Sequence, residues 1–202
     1  MSRTILRPPP EHFKLIPKED ISKGTRLYYR FNPAAFDSCF YFSRNREFRF
    51  DDTAKNYGVF YAAEQPAGAF AETYGHDVTQ QPAEMPLVLS EVELTQRKVF
   101  MVRIHKTRLA LLTGNGLPHL RLDGNIGTCP DYDIPQQWSQ WIFQHPKRYD
   151  GILYASRHNG CPCVALFSRA KKKITSEKNL ESALDFRHPN TGETIFDIMQ
   201  DQ

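Results

Sequence analysis

No apolar run in this 202-residue chain approaches the roughly 18 residues that cross a bilayer as a helix, which excludes a helical membrane span. The opening Met1-Ser2-Arg3-Thr4-Ile5-Leu6-Arg7-Pro8-Pro9-Pro10 carries basic residues but lacks the apolar segment of a secretory signal. Cysteine is scarce. Cys39, Cys129, Cys161 and Cys163 show no C-x-x-C spacing, so neither a disulfide framework nor a zinc site is favoured. A cytoplasmic protein with reduced thiols is expected. A net charge of +3 is too small to demand a polyanionic partner. No G-x-G-x-x-G follows a strand, no Walker A sequence appears, and the seven histidines include no H-E-x-x-H pair, so no metal is expected. Ser156 has no G-x-S-x-G context, which removes the hydrolase elbow.

What is present fits one globular domain. Hydrophobic residues make up 40% and aromatics 12%, and a chain of this size buries roughly 70% of its unfolded surface. Residues 1–20, rich in proline and charge, read as an arm that drapes over the domain or stays loose. Residues 21–170 hold the domain, and 171–202 form an extension packed on it. Apolar runs predict strands at 59–62, 99–104 and 109–112, and a hairpin of 151–155 and 163–167 around His158-Asn159-Gly160. Pro66 opens a helix whose Ala67, Phe70, Ala71 and Tyr74 form an apolar stripe, with Gly75 as its stop. A second helix starts at Asp133 and ends before Pro146, and a further one is expected near 180–186. The fold class is α/β (α+β), with a mixed, mainly antiparallel sheet.

The chemistry concentrates in Arg49-Phe50-Asp51, Gly58-Val59-Phe60-Tyr61 and the helix carrying Glu72. A guanidinium fork, an aromatic face and one carboxylate suit a ligand with phosphates, a flat ring and a carbon that becomes cationic, so NAD is the first candidate. Glu72 falls on the flank of the apolar stripe one turn after Gly68, where ligand or backbone has room to approach. Arg30 and Arg49 are candidate diphosphate ligands, with Arg26, Arg44 and Arg46 competing. Tyr61 is placed to stack on nicotinamide, and Ser156 ends a strand, where α/β proteins display ligand-binding groups. Each has a plainer alternative: a solvated glutamate, surface arginines, a core tyrosine, a turn serine. The interleaved basic and aromatic residues of 26–50 also admit a nucleic-acid-binding module, though without the core motif of an RNA-recognition sheet.

The ordered set of arginine, glutamate and serine resembles the RES domain family, the toxin half of bacterial Xre–RES toxin–antitoxin pairs. The segments that carry the resemblance are Lys23-Gly24-Thr25-Arg26-Leu27-Tyr28-Tyr29-Arg30, Arg49-Phe50-Asp51-Asp52, Gly58-Val59-Phe60-Tyr61-Ala62-Ala63, Ala69-Phe70-Ala71-Glu72-Thr73 and Tyr149-Asp150-Gly151-Ile152-Leu153-Tyr154-Ala155-Ser156-Arg157. The resemblance implies an ADP-ribosyltransferase-like split sheet and consumption of NAD at the nicotinamide–ribose bond, by hydrolysis or phosphorolysis. Mono-ADP-ribosylation of a protein is the alternative. It further implies catalytic roles for Glu72, Ser156 and Arg30, and NAD contacts for Arg49, Tyr61, Arg157 and Arg26, the first family arginine being either Arg26 or Arg30. A helix-turn-helix antitoxin of Xre type is the implied protein partner. A homo-oligomer is left open, and neither a membrane nor direct nucleic-acid binding is expected.

Overall fold

A computed structural model describes residues 6–36, 38–79, 90–179 and 182–200. Among the described residues there are eight strands: β1 (Glu19–Ile21), β2 (Thr25–Pro33), β3 (Val59–Ala63), β4 (Arg97–His105), β5 (Arg108–Leu112), β6 (Gly151–Ala155), β7 (Pro162–Phe167) and β8 (Ile174–Asn179). Five α-helices accompany them: α1 (Pro66–Thr79), α2 (Glu91–Thr95), α3 (Asn125–Thr128), α4 (Asp133–Gln144) and α5 (Ile195–Gln200). The strands form one sheet in the order β1-β5-β6-β7-β3-β2-β4-β8. Only β5 and β6 run parallel, joined by a crossover that contains α3 and α4, as a parallel pair requires.

The sheet is stitched unevenly. β2 and β4 pair through nine residues and β3 and β7 through five, yet β2 meets β3 at one pair, Tyr29↔Ala63. Beyond that pair β2 and β3 splay apart, and the preceding chain fills part of the gap: Ser43 bridges Val59, and the Arg30 guanidinium donates to the Tyr41 carbonyl at 2.9 Å. The split expected in the sheet is thus a single-pair seam within a continuous sheet.

Strand alternation sends side chains to two apolar layers. Tyr29, Phe31 and Val59 join Phe70, Tyr74, Trp138 and Ile142 in one, under α1 and α4; Tyr28, Phe60, Phe100 and Val102 form the other. The stripe of α1 is buried as its spacing predicts, with Phe70 2%, Ala71 5% and Tyr74 4% exposed.

Several expectations need correction. Gly75 does not stop α1, which continues to Thr79. A Cβ at Gly75 would lie 2.6 Å from the His158 ring, so the glycine marks close packing against the β6–β7 turn. No helix spans 180–186: residues 180–181 lie outside the described set, 182–186 form a turn, and the helix of this region is α5. It is preceded by β8, a polar edge strand. The arm packs down over residues 6–18: Trp138 Nε1 donates to the Arg7 carbonyl at 2.9 Å, and the Phe13 ring lies 5.4 Å from that of Trp141.

Candidate active site

A cavity of about 1140 Å3 opens at the seam. Consecutive residues of both splayed strands line it, Arg30 and Phe31 on β2 and Tyr61 and Ala62 on β3. Neighbouring strand residues face opposite ways, so the cavity borders the strand edges themselves, where no ladder partner closes the gap. α1, the loop before β3 and the segment entering α4 supply the other walls.

Glu72 stands on the wall contributed by α1. Its Oε1 accepts the Ser156 hydroxyl at 2.7 Å and its Oε2 accepts the Tyr154 hydroxyl at 3.0 Å. Both donors are 4% exposed, whereas Glu72 is exposed to the cavity. Tyr154 and Ser156 are two residues apart on an extended segment, so they project to one side, and together they fix the carboxylate plane. Burial, then the charge of Glu72, pushes the Tyr154 phenol well above its ordinary range, which keeps it a donor. Ser156 does not line the cavity and meets it through Glu72. Gly68 leaves no room for a ligand beside this carboxylate, contrary to expectation: a Cβ there would lie 2.7 Å from Cys161 Cβ and 3.0 Å from Ala63 Cβ.

Opposing charge comes from guanidinium groups. Arg30 donates through Nε to Asn32 Oδ1 at 2.6 Å and lies 4.5 Å over the Phe60 ring. Burial lowers its pKa to about 10. Arg49, 8% exposed, donates to the Cys129 carbonyl at 2.8 Å and stacks 4.6 Å over Tyr132. Arg157 donates from Nε to His158 Nε2 at 3.1 Å. Among the described residues none of these three has a carboxylate partner, although they share the cavity wall. Counting Arg97, four guanidinium groups line the cavity against the carboxylates of Glu47 and Glu72. Charges withdrawn from water are normally paired, so guanidinium groups held here by neutral partners give the cavity wall the character of an anion site.

Two expected ligands sit differently. Arg26 lies outside the cavity lining and is bound to Asp20 through both terminal nitrogens, one at 2.9 Å, with Glu64 3.8 Å away. Of the two β2 arginines, therefore, Arg30 reaches the cavity and Arg26 is neutralised elsewhere. Tyr61 does line the cavity, but its hydroxyl is occupied, donating to Asp51 Oδ1 at 3.0 Å and accepting the Phe50 amide at 3.0 Å. It anchors the loop that carries Arg49 and offers a ligand its ring.

Sequence reasoning missed Tyr154, Tyr132 and the rim of exposed aromatics. The i, i+2 spacing from Ser156 was a usable signal for Tyr154. Phe36 and Tyr41 stack on each other at 5.7 Å with planes 7° apart, and with Phe48 they flank the cavity while remaining 40–48% exposed. No group of three or more metal-ligating side chains occurs among the described residues, and no helix of theirs is long and apolar enough to cross a membrane.

Residues 22–188 match the RES domain. The chain belongs to the RES domain family. Over 79 residues, 39% of this chain and 61% of the relative, it is 35% identical to "Probable toxin y4kH" of Sinorhizobium fredii (strain NBRC 101917 / NGR234), so the match spans less than two thirds of that protein. Among solved structures, the crystal structure of the M. tuberculosis MbcT–MbcA toxin–antitoxin complex is similar, with a TM-score of 0.59 over 79% of this chain and 85% of that one. At 12% identity that likeness is one of fold. The matched RES domain contains all six cavity-lining or carboxylate-holding candidates named from sequence: Arg30, Arg49, Tyr61, Glu72, Ser156 and Arg157.

Proposed function

We propose that this RES domain is the toxin of a toxin–antitoxin pair and acts by cleaving the nicotinamide–ribose bond of NAD+ in the seam cavity. One observation carries the reading: a carboxylate held by two buried hydroxyls shares a cavity with three guanidinium groups that lack carboxylate partners. Its volume of about 1140 Å3 exceeds the roughly 300–1,000 Å3 of sites for drug-sized ligands, which suits a dinucleotide.

Arg30, Arg49 and Arg157 would bind the diphosphate through charge-assisted hydrogen bonds worth roughly 1.5–3 kcal/mol each. The Tyr61 ring would seat the nicotinamide, and the exposed Phe36, Tyr41 and Phe48 rings offer faces for adenine. The bond between ribose C1′ and the pyridinium nitrogen breaks, its electron pair moves to nitrogen, and nicotinamide leaves neutral. That departure requires no strong general acid. Positive charge then develops on C1′ and the ring oxygen, opposite the Glu72 carboxylate, and water or phosphate captures the cation and releases a proton. Tyr154 and Ser156 act as positioning residues because they orient Glu72.

Names of relatives support the toxin assignment: one is a probable toxin, and the other's structure was solved with its antitoxin. A helix-turn-helix protein of Xre type is the proposed partner. Chromatography of NAD+ labelled in its adenylate half, incubated with wild type and Glu72→Ala, tests the reading. Labelled ADP-ribose or its phosphate from wild type alone is expected. Label retained on protein would instead identify a mono-ADP-ribosyltransferase, and intact NAD+ with the wild-type protein overturns the proposal.

A further inference from the structure

A second concavity, of about 560 Å3, lies at the opposite end of β6. Asp150, just before the strand, belongs to it, and Tyr154, near the strand's end, belongs to the seam cavity. Four residues of extended chain place the two roughly 13 Å apart. The walls come from the β4–β5 turn, the loop after α4 and the segment between β7 and β8, and they share no residue with the seam cavity.

Six cations line this pocket: Lys106, Arg108, Lys147, Arg148, Arg169 and Lys173. Two carboxylates oppose them. Asp150 holds Lys173 at 2.7 Å, and Glu19 holds Lys147 at 2.9 Å with Arg108 at 3.9 Å. Six cations against two anions leave an excess of four. The whole chain has 26 basic and 23 acidic residues, so outside this cluster twenty basic residues face twenty-one acidic ones. All of the chain's positive excess is therefore gathered here.

Lys106 and Arg148 hold left-handed backbone, at φ 46° and 52°, a region disfavoured for residues with long side chains. Arg169, tucked over the Phe143 ring at 3.8 Å, has its pKa lowered by burial and by the neighbouring charge of Arg148. The walls also restrict what can occupy the pocket. Ile21 and Pro146 are its apolar members and no aromatic ring lines it, so it lacks both the aromatic anchors of a protein interface and the stacking platform of a single-stranded nucleic acid.

We propose that this pocket binds a small oligophosphate, a linear anion carrying three or more negative charges without a base. Guanidinium forks and ammonium groups at this density match phosphate oxygens, and the volume exceeds what one phosphate needs. The site is independent of NAD cleavage.

Isothermal titration of the full chain with inorganic triphosphate, orthophosphate and sulfate at physiological salt tests the site. Triphosphate is expected to bind at least tenfold more tightly than either small anion. The double variant Lys106→Asn/Arg148→Asn removes two charges with a residue that tolerates left-handed backbone; it should weaken triphosphate at least tenfold and leave NAD turnover at the wild-type rate. Should that variant fail to fold, triphosphate protection of Lys106, Lys147 and Lys173 from acylation in the wild-type protein, read by mass spectrometry, replaces it. Equal affinity in variant and wild type, equal affinity for sulfate, or absence of lysine protection overturns the proposal. So does tighter binding of a glutamate-rich peptide or an oligonucleotide through the same residues, which would mark a macromolecular surface.

Discussion

The two concavities at the ends of β6 both collect positive charge, and they handle it in opposite ways. At the far pocket, ammonium groups meet Asp150 and Glu19 directly, and most of the remaining heads are exposed. At the seam, guanidinium groups are held by neutral partners, a carbonyl from Tyr41 or Cys129, an amide from Asn32, the faces of Phe60 and Tyr132. Of the seam's two carboxylates, Glu72 is meanwhile bonded by two hydroxyls. Keeping cations and anion apart, each supported by neutral groups, preserves both charges for something that arrives later. β2 repeats the lesson on a small scale. Arg26 and Arg30 lie on the same strand, and Arg26 is neutralised by Asp20 while Arg30 is supported by neutral acceptors.

The comparison is sharpened most by Glu72→Ala. It should lower kcat for NAD+ cleavage by about 10²–10³, as loss of one preorganised electrostatic group does, and leave triphosphate affinity at the far pocket unchanged. Steady-state kinetics and titration on one preparation check both halves. Next comes the arginine pair. Arg30→Ala or Arg49→Ala should raise KM by about 10–100-fold, the worth of a charged hydrogen bond, whereas Arg26→Ala should leave KM unaltered and cost at most about 1 kcal/mol of stability, as partly exposed ion pairs do. Equal KM in all three variants would erase the distinction. Tyr154→Phe and Ser156→Ala each remove one bond to Glu72 and are expected to reduce kcat by about tenfold with KM nearly constant. A change in KM alone would place them on the substrate and not behind the carboxylate.

The smallest expected effect concerns the arm. His145, 4% exposed, accepts the Lys147 amide on Nδ1 at 3.2 Å, so the other nitrogen carries the proton toward the Leu15 carbonyl at 3.2 Å. Burial lowers its pKa from the ordinary value of 6.5. The unfolded chain then takes up a proton before the folded one, so its contribution is complete above about pH 6.5 and is lost as pH falls toward the depressed folded value. Melting curves between pH 7.5 and 5.5 should show that loss, and His145→Gln should flatten it.

Much of the architecture was legible. β4, β5, β6 and β7 are apolar blocks bounded by charge, and α1 announces itself through Pro66 and its stripe. β1 and β8 escaped because they are sheet edges, one of three residues and the other the polar Ile174-Thr175-Ser176-Glu177-Lys178-Asn179, specified by ladder bonds and not by pattern, and the inner strand β2 escaped because Thr25–Pro33 mixes arginines and aromatics without clean alternation. Gly75 misled because a glycine that admits a neighbouring ring and a glycine that ends a helix look alike in one dimension. In the site, residue types were readable, as were the segments that bear them. Which of two nearby arginines is neutralised was not, since that depends on where Asp20 of β1 lands. Tyr154 and Tyr132 went unseen because each gains its meaning from a side chain more than eighty residues away.

The lone Tyr29↔Ala63 pairing leaves the facing edges of β2 and β3 short of ladder partners along the seam. An occupant touching Arg30 and Tyr61 together would act as the missing rungs, and backbone amides flanking the seam should then exchange with deuterated solvent more slowly.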